Sequence, residues 1–296
     1  ARFEQATQLN LGGTGIGSFS DRLRDAVRGG SPFDSGDDIR RAQGFASGLY
    51  NDPNELNSGA EGEKARLMLT ADQIMIELTG NLADFLLTGY EGEVVRGKDV
   101  DYNGQPSGYT QSPLEVVSYV EKHDNQTLWD NNQYKLPTDM TSLERTRAQV
   151  FGLSFSVLGQ GVPFIHMGSE ILRSKSMERD SYDSGDWFNA LDFGYQDNNW
   201  NKGLPRQDKD GDNWPLIRQI IADPNAKPSS ADILAAKRQF LELLQIRSSS
   251  PLFQLASAKE INKRLRFHNT GPNQLPGVIA FSLDDSPQAG RDLDPE

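Results

Sequence analysis

The sequence predicts an α/β fold in which helices cover a sheet of parallel strands. Strand-like and helix-like stretches alternate along most of the chain, which favours βα units over a β-sandwich. Residues 116–120 (VVSYV) are mostly β-branched, and the polar residues 121–127 follow them directly. The chain is therefore expected to present a polar loop at the carboxyl end of a buried strand.

The first elements follow from local patterns. Ser20 is expected to cap a short helix over residues 21–28, which ends at Gly29-Gly30. Residues 31–63 are rich in Gly, Asp, Asn and Ser and are expected to form a surface loop. Thr70 and Gln73 resemble a capping box within a helical stretch that runs to about Leu78.

The second half is predicted in the same way. Residues 143–158 have helical length and periodicity, and a strand-like run, VPFIHMG, follows the glycines at 159 and 161. Residues 168–227 have no long periodic segment, and a loop of that length in a compact protein suggests function. A helix is expected after a cap at Ser230, and two strand-like runs (LRFHN and GVIAFSL) follow Pro251.

Composition narrows the function classes. The 296 residues carry a formal net charge of -12, which disfavours nucleic acid or an anionic membrane as partner, because both would repel the chain. No apolar run approaches the ~20 residues that cross a bilayer. The absence of cysteine excludes disulfides and thiolate metal sites but leaves the compartment open. A neutral or cationic ligand fits this composition better.

The two ends of the chain suggest a piece of a longer protein. The first ten residues have neither the cationic start nor the apolar core of a signal peptide, and no initiator methionine is present. The last residues stop in a polar segment directly after a strand-like run.

A histidine and an aspartate stand together in the polar loop. In a (β/α)8 barrel, that end of the strands carries the active site. Aromatic rings nearby in the sequence could stack on sugar rings, while His123 and Asp124 could hydrogen-bond the hydroxyls. Those aromatic residues are Trp129, Tyr134, Trp187, Phe188, Trp200 and Trp214. From the residues alone, half-buried loop anchors and a structural histidine remain the stronger alternative.

Four blocks of sequence resemble one family. They are GTGIGSFSDRLRDAVRGG, SYVEKHDNQTLWD, GQGVPFIHMGSEILRSKSMERDSYDSGDWFN and RLRFHNTGPNQLPGV, in that order along the chain. Together they are similar to the carboxyl-terminal half of debranching enzymes of the pullulanase and limit dextrinase type. These enzymes are members of the α-amylase superfamily of glycoside hydrolases.

The resemblance implies a fold and a domain division. It implies an α/β fold that comprises the carboxyl-terminal part of a (β/α)8 barrel, with strands 6 to 8 and their helices, followed by the start of a small β domain. The FSDRLRDAV block would be the sixth βα unit, with the seventh strand before His123 and the eighth strand at VPFIHMG. The expected division is a partial catalytic barrel over residues 1–250 and a β domain that begins within residues 251–296.

The resemblance also implies a reaction. The family cleaves α-1,6-glucosidic branch points in pullulan, limit dextrins, starch or glycogen with retention of configuration. It uses an aspartate nucleophile, a glutamate acid/base and a second aspartate that stabilises the transition state. Asp124 matches that second aspartate, and His123 matches the histidine that hydrogen-bonds the sugar at subsite -1. No motif for the nucleophile or the acid/base is found, so the chain is expected to be an inactive fragment whose partners are an α-glucan and the missing amino-terminal half.

Further substrate contacts are expected from the same resemblance. Arg179 and Asp212 match the long loop that lines subsites on the non-reducing side, and Asn125, Trp129 and Trp214 are weaker candidates. The alternative for Arg179 is a surface ion pair with Asp180 or Asp183.

No metal site is expected within this chain. The run of residues 208–212 resembles the start of a calcium loop, but Gln219 stands where a bidentate glutamate belongs. His166 lacks a His or Cys partner at ligand spacing and is expected at the core or rim. No cofactor is assigned, and the resemblance leaves calcium open for a full-length enzyme.

A second function class stays open at this stage. The chain could be a non-catalytic α-glucan-binding protein without the nucleophile and the acid. A structural interaction module is disfavoured because the sequence has no heptads or repeats. Localisation is not determined, since relatives occur both as secreted or periplasmic enzymes and in plastids.

Overall fold

The structure is a computed structural model that describes residues 5–294. Its α-helices are α1 (Gln8–Leu11), α2 (Asp21–Arg28), α3 (Asp37–Arg41), α4 (Glu61–Leu78), α5 (Leu128–Lys135), α6 (Ser142–Leu158), α7 (Gln207–Asp210), α8 (Trp214–Ala222), α9 (Ser230–Ser249) and α10 (Ala258–Arg264). Its strands are β1 (Ser18–Ser20), β2 (Leu86–Thr88), β3 (Val94–Arg96), β4 (Asp101–Tyr102), β5 (Gln105–Pro106), β6 (Val116–Ser118), β7 (Val162–Pro163), β8 (Leu265–Phe267) and β9 (Phe281–Leu283).

The parallel sheet predicted from the sequence is present. Strands β1, β6 and β7 pair in parallel, in the order β1-β6-β7, so that Phe19 lies beside Val117 and Val117 beside Val162. Side chains alternate across the strands, and Ser20, Val116 and Ser118 on the other face are buried. The α/β architecture is thus confirmed, while the numbering of these strands as the sixth to eighth of a barrel stays a prediction.

Two apolar clusters hold the helices to the sheet and to each other. The first includes Leu23 and Val27 of α2, Ile74 of α4 and Leu153 of α6. Burying one such side chain stabilises a fold by roughly 1.5–3 kcal/mol. The second cluster joins α5, α6, α8 and α9 with the long segment after β7, and Trp129 is one of its members. The helix that follows the His-Asp loop is therefore anchored in a buried apolar cluster.

Several local predictions hold. Helix α2 covers residues 21–28 as expected, and α6 starts at Ser142, one residue before the predicted start. Helix α9 starts at Ser230, but its cap is Ser229, whose hydroxyl accepts a hydrogen bond from the Asp232 amide. The predicted cap was therefore one residue too late.

Two local predictions are wrong. Residues 31–63 are not a surface loop throughout, because Phe45 and Leu49 are buried in the first cluster and α4 already begins at Glu61. Thr70 does not cap a helix. It lies inside α4, and its hydroxyl donates to the carbonyl of Arg66, one turn earlier.

The carboxyl-terminal residues form an antiparallel hairpin of β8 and β9. Phe267 of this hairpin packs edge-on against Phe85, with ring centroids 5.9 Å apart, and Leu265 belongs to the first apolar cluster. The predicted boundary between residues 250 and 251 stays a prediction, and residues 1–4 and 295–296 of the two predicted domains lie outside the described residues.

None of the helices in residues 5–294 combines the length and apolar character needed to span a bilayer.

Candidate active-site loop

His123 and Asp124 lie in the loop that follows strand β6. Their side chains are 77% and 53% exposed, and His123 Nε2 is 3.3 Å from a carboxylate oxygen of Asp124. Lys122 donates a hydrogen bond to the other oxygen. This hydrogen bond lowers the pKa of Asp124, and the charge of His123 acts in the same direction. Asp124 is therefore an ionised acceptor, open to solvent, at the end of a parallel strand.

The beginning of this loop is anchored by a buried carboxylate that the sequence analysis did not single out. Glu121 is 1% exposed, and its carboxylate accepts hydrogen bonds from the amide of Leu128, at 2.6 Å, and from the hydroxyl of Ser169. Burial raises the pKa of Glu121, but these bonds and the neighbouring His166 outweigh it and lower the pKa overall. Glu121 thus ties both ends of the loop to the segment after β7.

His166 completes this anchor. Its Nε2 lies 3.0 Å from Nη1 of Arg173, and its Nδ1 lies 3.8 Å from Glu121. A guanidinium can only donate, so Nε2 is the acceptor and the imidazole proton is assigned to Nδ1, facing Glu121. In residues 5–294, no three His, Cys, Asp or Glu side chains are grouped so that they could hold a metal ion. The geometry gives His166 a structural part at the rim.

A second buried pair fixes the other side of the loop. The ammonium of Lys175, fully buried, donates to the backbone carbonyl of His123 at 2.9 Å. Asp130, also buried, accepts from the hydroxyl of Ser174 and from the amide of Lys175, at 2.5 and 2.7 Å. Burial raises the pKa of Asp130 to about 6. Charged residues are mostly exposed in folded proteins, so no sequence signal separated these two from their neighbours.

Arg179 lies against the segment that carries Asp212. Its guanidinium donates to the carbonyl of Lys209 at 2.9 Å and lies 3.7 Å from Asp210. The two partners named in the alternative do not pair with Arg179: Asp180 pairs with Lys209, and Asp183 pairs with Arg206. Asp212 itself is exposed.

The aromatic candidates divide by burial. Trp129 is 0% exposed in the second apolar cluster, so neither face of its indole is open to a sugar, and its assignment as a substrate contact is wrong for this structure. Asn125 is half-buried, with a φ of 64° that turns the loop sharply. Trp214 is half-buried and donates to the carbonyl of Pro205. Trp187, 44% exposed and stacked on Phe188, keeps an open aromatic surface.

The site is a surface and not an enclosed cavity. A cleft of about 620 Å³ lies between α2, α4 and residues 29–34, and neither His123 nor Asp124 lines it. The His-Asp loop instead faces outward beside the sheet residue Phe19, whose ring lies 5.9 Å from the Lys122 ammonium. A substrate held here would need further walls around it.

The sequence is similar to that of one family of known proteins. The family described as pullulanase-type α-1,6-glucosidases, C-terminal, matches residues 195–296. A pullulanase of Klebsiella aerogenes is 50% identical over 290 residues, which is 98% of this chain and 26% of the relative. Pullulanase 1, chloroplastic, of Arabidopsis thaliana is 49% identical over 282 residues, 95% of this chain and 29% of the relative.

The fold is also similar to that of a solved pullulanase structure. The crystal structure of Klebsiella pneumoniae pullulanase complexed with maltotriose has a TM-score of 0.94 and 49% identity, and the match covers 99% of this chain and 28% of that one. The chain is thus a homologue of the pullulanases, and the resemblance seen in the four sequence blocks is confirmed. It spans about a quarter to a third of the length of these relatives.

Proposed function

We propose that this chain supplies one wall of the active site of a retaining α-1,6-glucosidase of the pullulanase type, which acts on branch points in α-glucans. The observation that carries the proposal is the exposed His123–Asp124 pair, held by buried groups at the end of a parallel strand. The 50% identity to the Klebsiella aerogenes pullulanase, over 98% of this chain, supports the same assignment.

Asp124 would stabilise the transition state. As the glycosidic bond breaks, the sugar ring becomes oxocarbenium-like, and a carboxylate that accepts its hydroxyl protons binds it more tightly than the ground state. The low pKa of Asp124 keeps it ionised for this purpose at neutral pH. His123 would hydrogen-bond the same sugar at subsite -1, and Arg179 and Asp212 would contact glucose units further along.

The nucleophile and the acid/base would come from the part of the pullulanase relatives that this chain does not cover. The three strands β1, β6 and β7 would be the sixth to eighth strands of the complete barrel, since three strands cannot close one. The 296 residues alone would then be inactive, because covalent catalysis and proton transfer both need groups from elsewhere. The buried position of Trp129 removes one support for the alternative of a purely glucan-binding chain.

A segment exchange tests the proposal. The chain would replace the matching segment of the Klebsiella aerogenes pullulanase, and hydrolysis of pullulan would be followed by release of reducing ends. We expect activity from the chimaera, none from the isolated chain, and a loss of at least about 100-fold in kcat for Asp124→Asn. Asp139→Asn, at an exposed aspartate, serves as the control. A folded but inactive chimaera, or full activity in Asp124→Asn, would contradict the proposal.

A further inference from the structure

We propose that Lys175 is a positioning residue that sets Asp124 in place through the backbone carbonyl of His123. This inference rests on the proposed function, in which Asp124 stabilises the transition state. The carbonyl that Lys175 binds belongs to the peptide unit whose nitrogen is the amide of Asp124. The same peptide plane contains the Cα atom of Asp124, so fixing the plane fixes the position of the atom that carries the side chain.

The side chain of Asp124 has little else to hold it. Its contacts with Lys122 and His123 lie on the surface, where ion pairs contribute roughly 0–1 kcal/mol and give weak geometric control. The next residue, Asn125, has a left-handed backbone that makes the chain reverse there. Buried contacts to the loop therefore come from its two anchors, Glu121 at the Leu128 amide and Lys175 at the His123 carbonyl.

The segment that presents Lys175 is itself held in an unfavourable backbone conformation. Leu172, Ser176 and Met177 all have φ between 52° and 69°, the left-handed region that costs roughly 1–2 kcal/mol for a residue with a side chain. Hydrogen bonds from elsewhere in the long loop enforce it: Asn198 donates to the Leu172 carbonyl, and Ser176 donates to the Asn199 carbonyl. Strain that is maintained in this way is typical of segments that place a functional group.

The charge on Lys175 is compensated from several directions. The carboxylates of Asp130, Glu121 and Glu178 attract its ammonium, while the guanidinium of Arg173 repels it. Burial lowers the pKa of Lys175 to about 8, so the ammonium remains mostly protonated at neutral pH. A hydrogen bond from an ionised donor is roughly twice as strong as a neutral one, which suits a group that must hold a peptide plane.

The first test measures the loop in the 296-residue chain. Backbone ¹⁵N relaxation would give order parameters for Asp124 and Asn125 in the original chain, in Lys175→Met, and in the control Lys202→Met, which removes an exposed partner of Asp197. We expect values that fall from about 0.85 to below about 0.6 only in Lys175→Met, with α6 unchanged. If Lys175→Met does not fold, Lys175→Arg replaces it, and we expect Arg to retain most of the order because it keeps a cationic donor. Unchanged order at Asp124 in a folded Lys175→Met protein, or lost order at Asp124 in Lys175→Arg, would overturn the inference.

The second test measures catalysis in the chimaera. Lys175→Met should lower kcat for pullulan by about 100-fold, the effect of displacing a catalytic group by about 1 Å, with little change in KM. In the Asp124→Asn background the same substitution should change kcat by less than about twofold, since Lys175 acts through Asp124. Multiplicative losses in the double variant would indicate a general structural role and overturn the inference. An inactive parent chimaera would count against the proposed function alone, because the order parameters would still decide the part of Lys175.

Discussion

The hydroxyl of Ser20 donates a hydrogen bond of 2.8 Å to the buried carboxylate of Glu77 and does not cap helix α2, although Ser20 stands at the cap position. Ser118 of the neighbouring strand donates to the other carboxylate oxygen at 3.2 Å. Glu77 thereby links α4 to both β1 and β6 beneath the sheet. Burial raises the pKa of Glu77 to about 7, against the opposing effect of these two hydrogen bonds.

This pKa predicts a pH dependence of stability. The folded-state pKa of Glu77 lies above its ordinary value of 4.5, so its stabilising contribution is complete below pH 4.5 and is lost as the pH rises through about 7. The loss should be on the order of 3 kcal/mol. Glu77→Gln cannot ionise, so its melting temperature relative to the original protein should be higher at pH 8 than at pH 5. Glu242→Gln, at an exposed glutamate of α9, is the control, and an equal difference at both pH values for Glu77→Gln would contradict the assignment.

The second prediction concerns Trp129. Because its side chain is fully buried, Trp129→Ala should lower the free energy of unfolding by about 3–5 kcal/mol in urea titrations. Trp129→Phe should cost markedly less, since the indole Nε1 has no hydrogen-bond partner among residues 5–294 to lose. Trp187→Ala, at a 44% exposed ring, should have the smallest effect. A stable Trp129→Ala protein with weakened maltotriose binding would instead restore the stacking role.

The third prediction concerns Arg145, which lies on α6 with a side chain 2% exposed. Its guanidinium donates to Gln133, to the carbonyls of Met140 and Pro137, and to Asp223. Arg145→Met would leave these acceptors unpaired and should destabilise the protein by about 3–5 kcal/mol. Arg147→Met, on the exposed side of the same helix, should stay within about 0.5 kcal/mol. Equal urea midpoints for the two variants would refute this account.

The fourth prediction compares two glycines. Gly29 has a φ of 81°, and a Cβ there would lie 2.1 Å from the carbonyl oxygen of Ala42, so Gly29→Ala should destabilise the protein. Gly62, in the first turn of α4, has open space around it, and Gly62→Ala should raise stability by up to about 1 kcal/mol. Opposite shifts of the melting temperature are expected, and a loss in both variants would show that α4 does not tolerate the added methyl group.

Sequence reasoning was most accurate where local patterns decide the structure. Helix α2 was placed at its observed bounds because its apolar spacing and the terminal Gly29 act within a few residues. It was least accurate for α4, whose first residues, Glu61 and Gly62, look like loop but are carried into the helix by the apolar residues that follow. Ser20 shows the same limit, since its partner is 57 positions away along the chain.

The sequence alone determined the parallel α/β pattern, the family resemblance and the position of His123 and Asp124 at a strand end. The tertiary structure decided which side chains surround them. Trp129 was expected to face the substrate, and the second apolar cluster buries it. Nothing in the sequence singled out Lys175 and Glu121, yet they are the buried anchors of the loop. Burial and long-range hydrogen bonds depend on which segments meet in space, and for residues about 50 positions apart only the folded chain sets that.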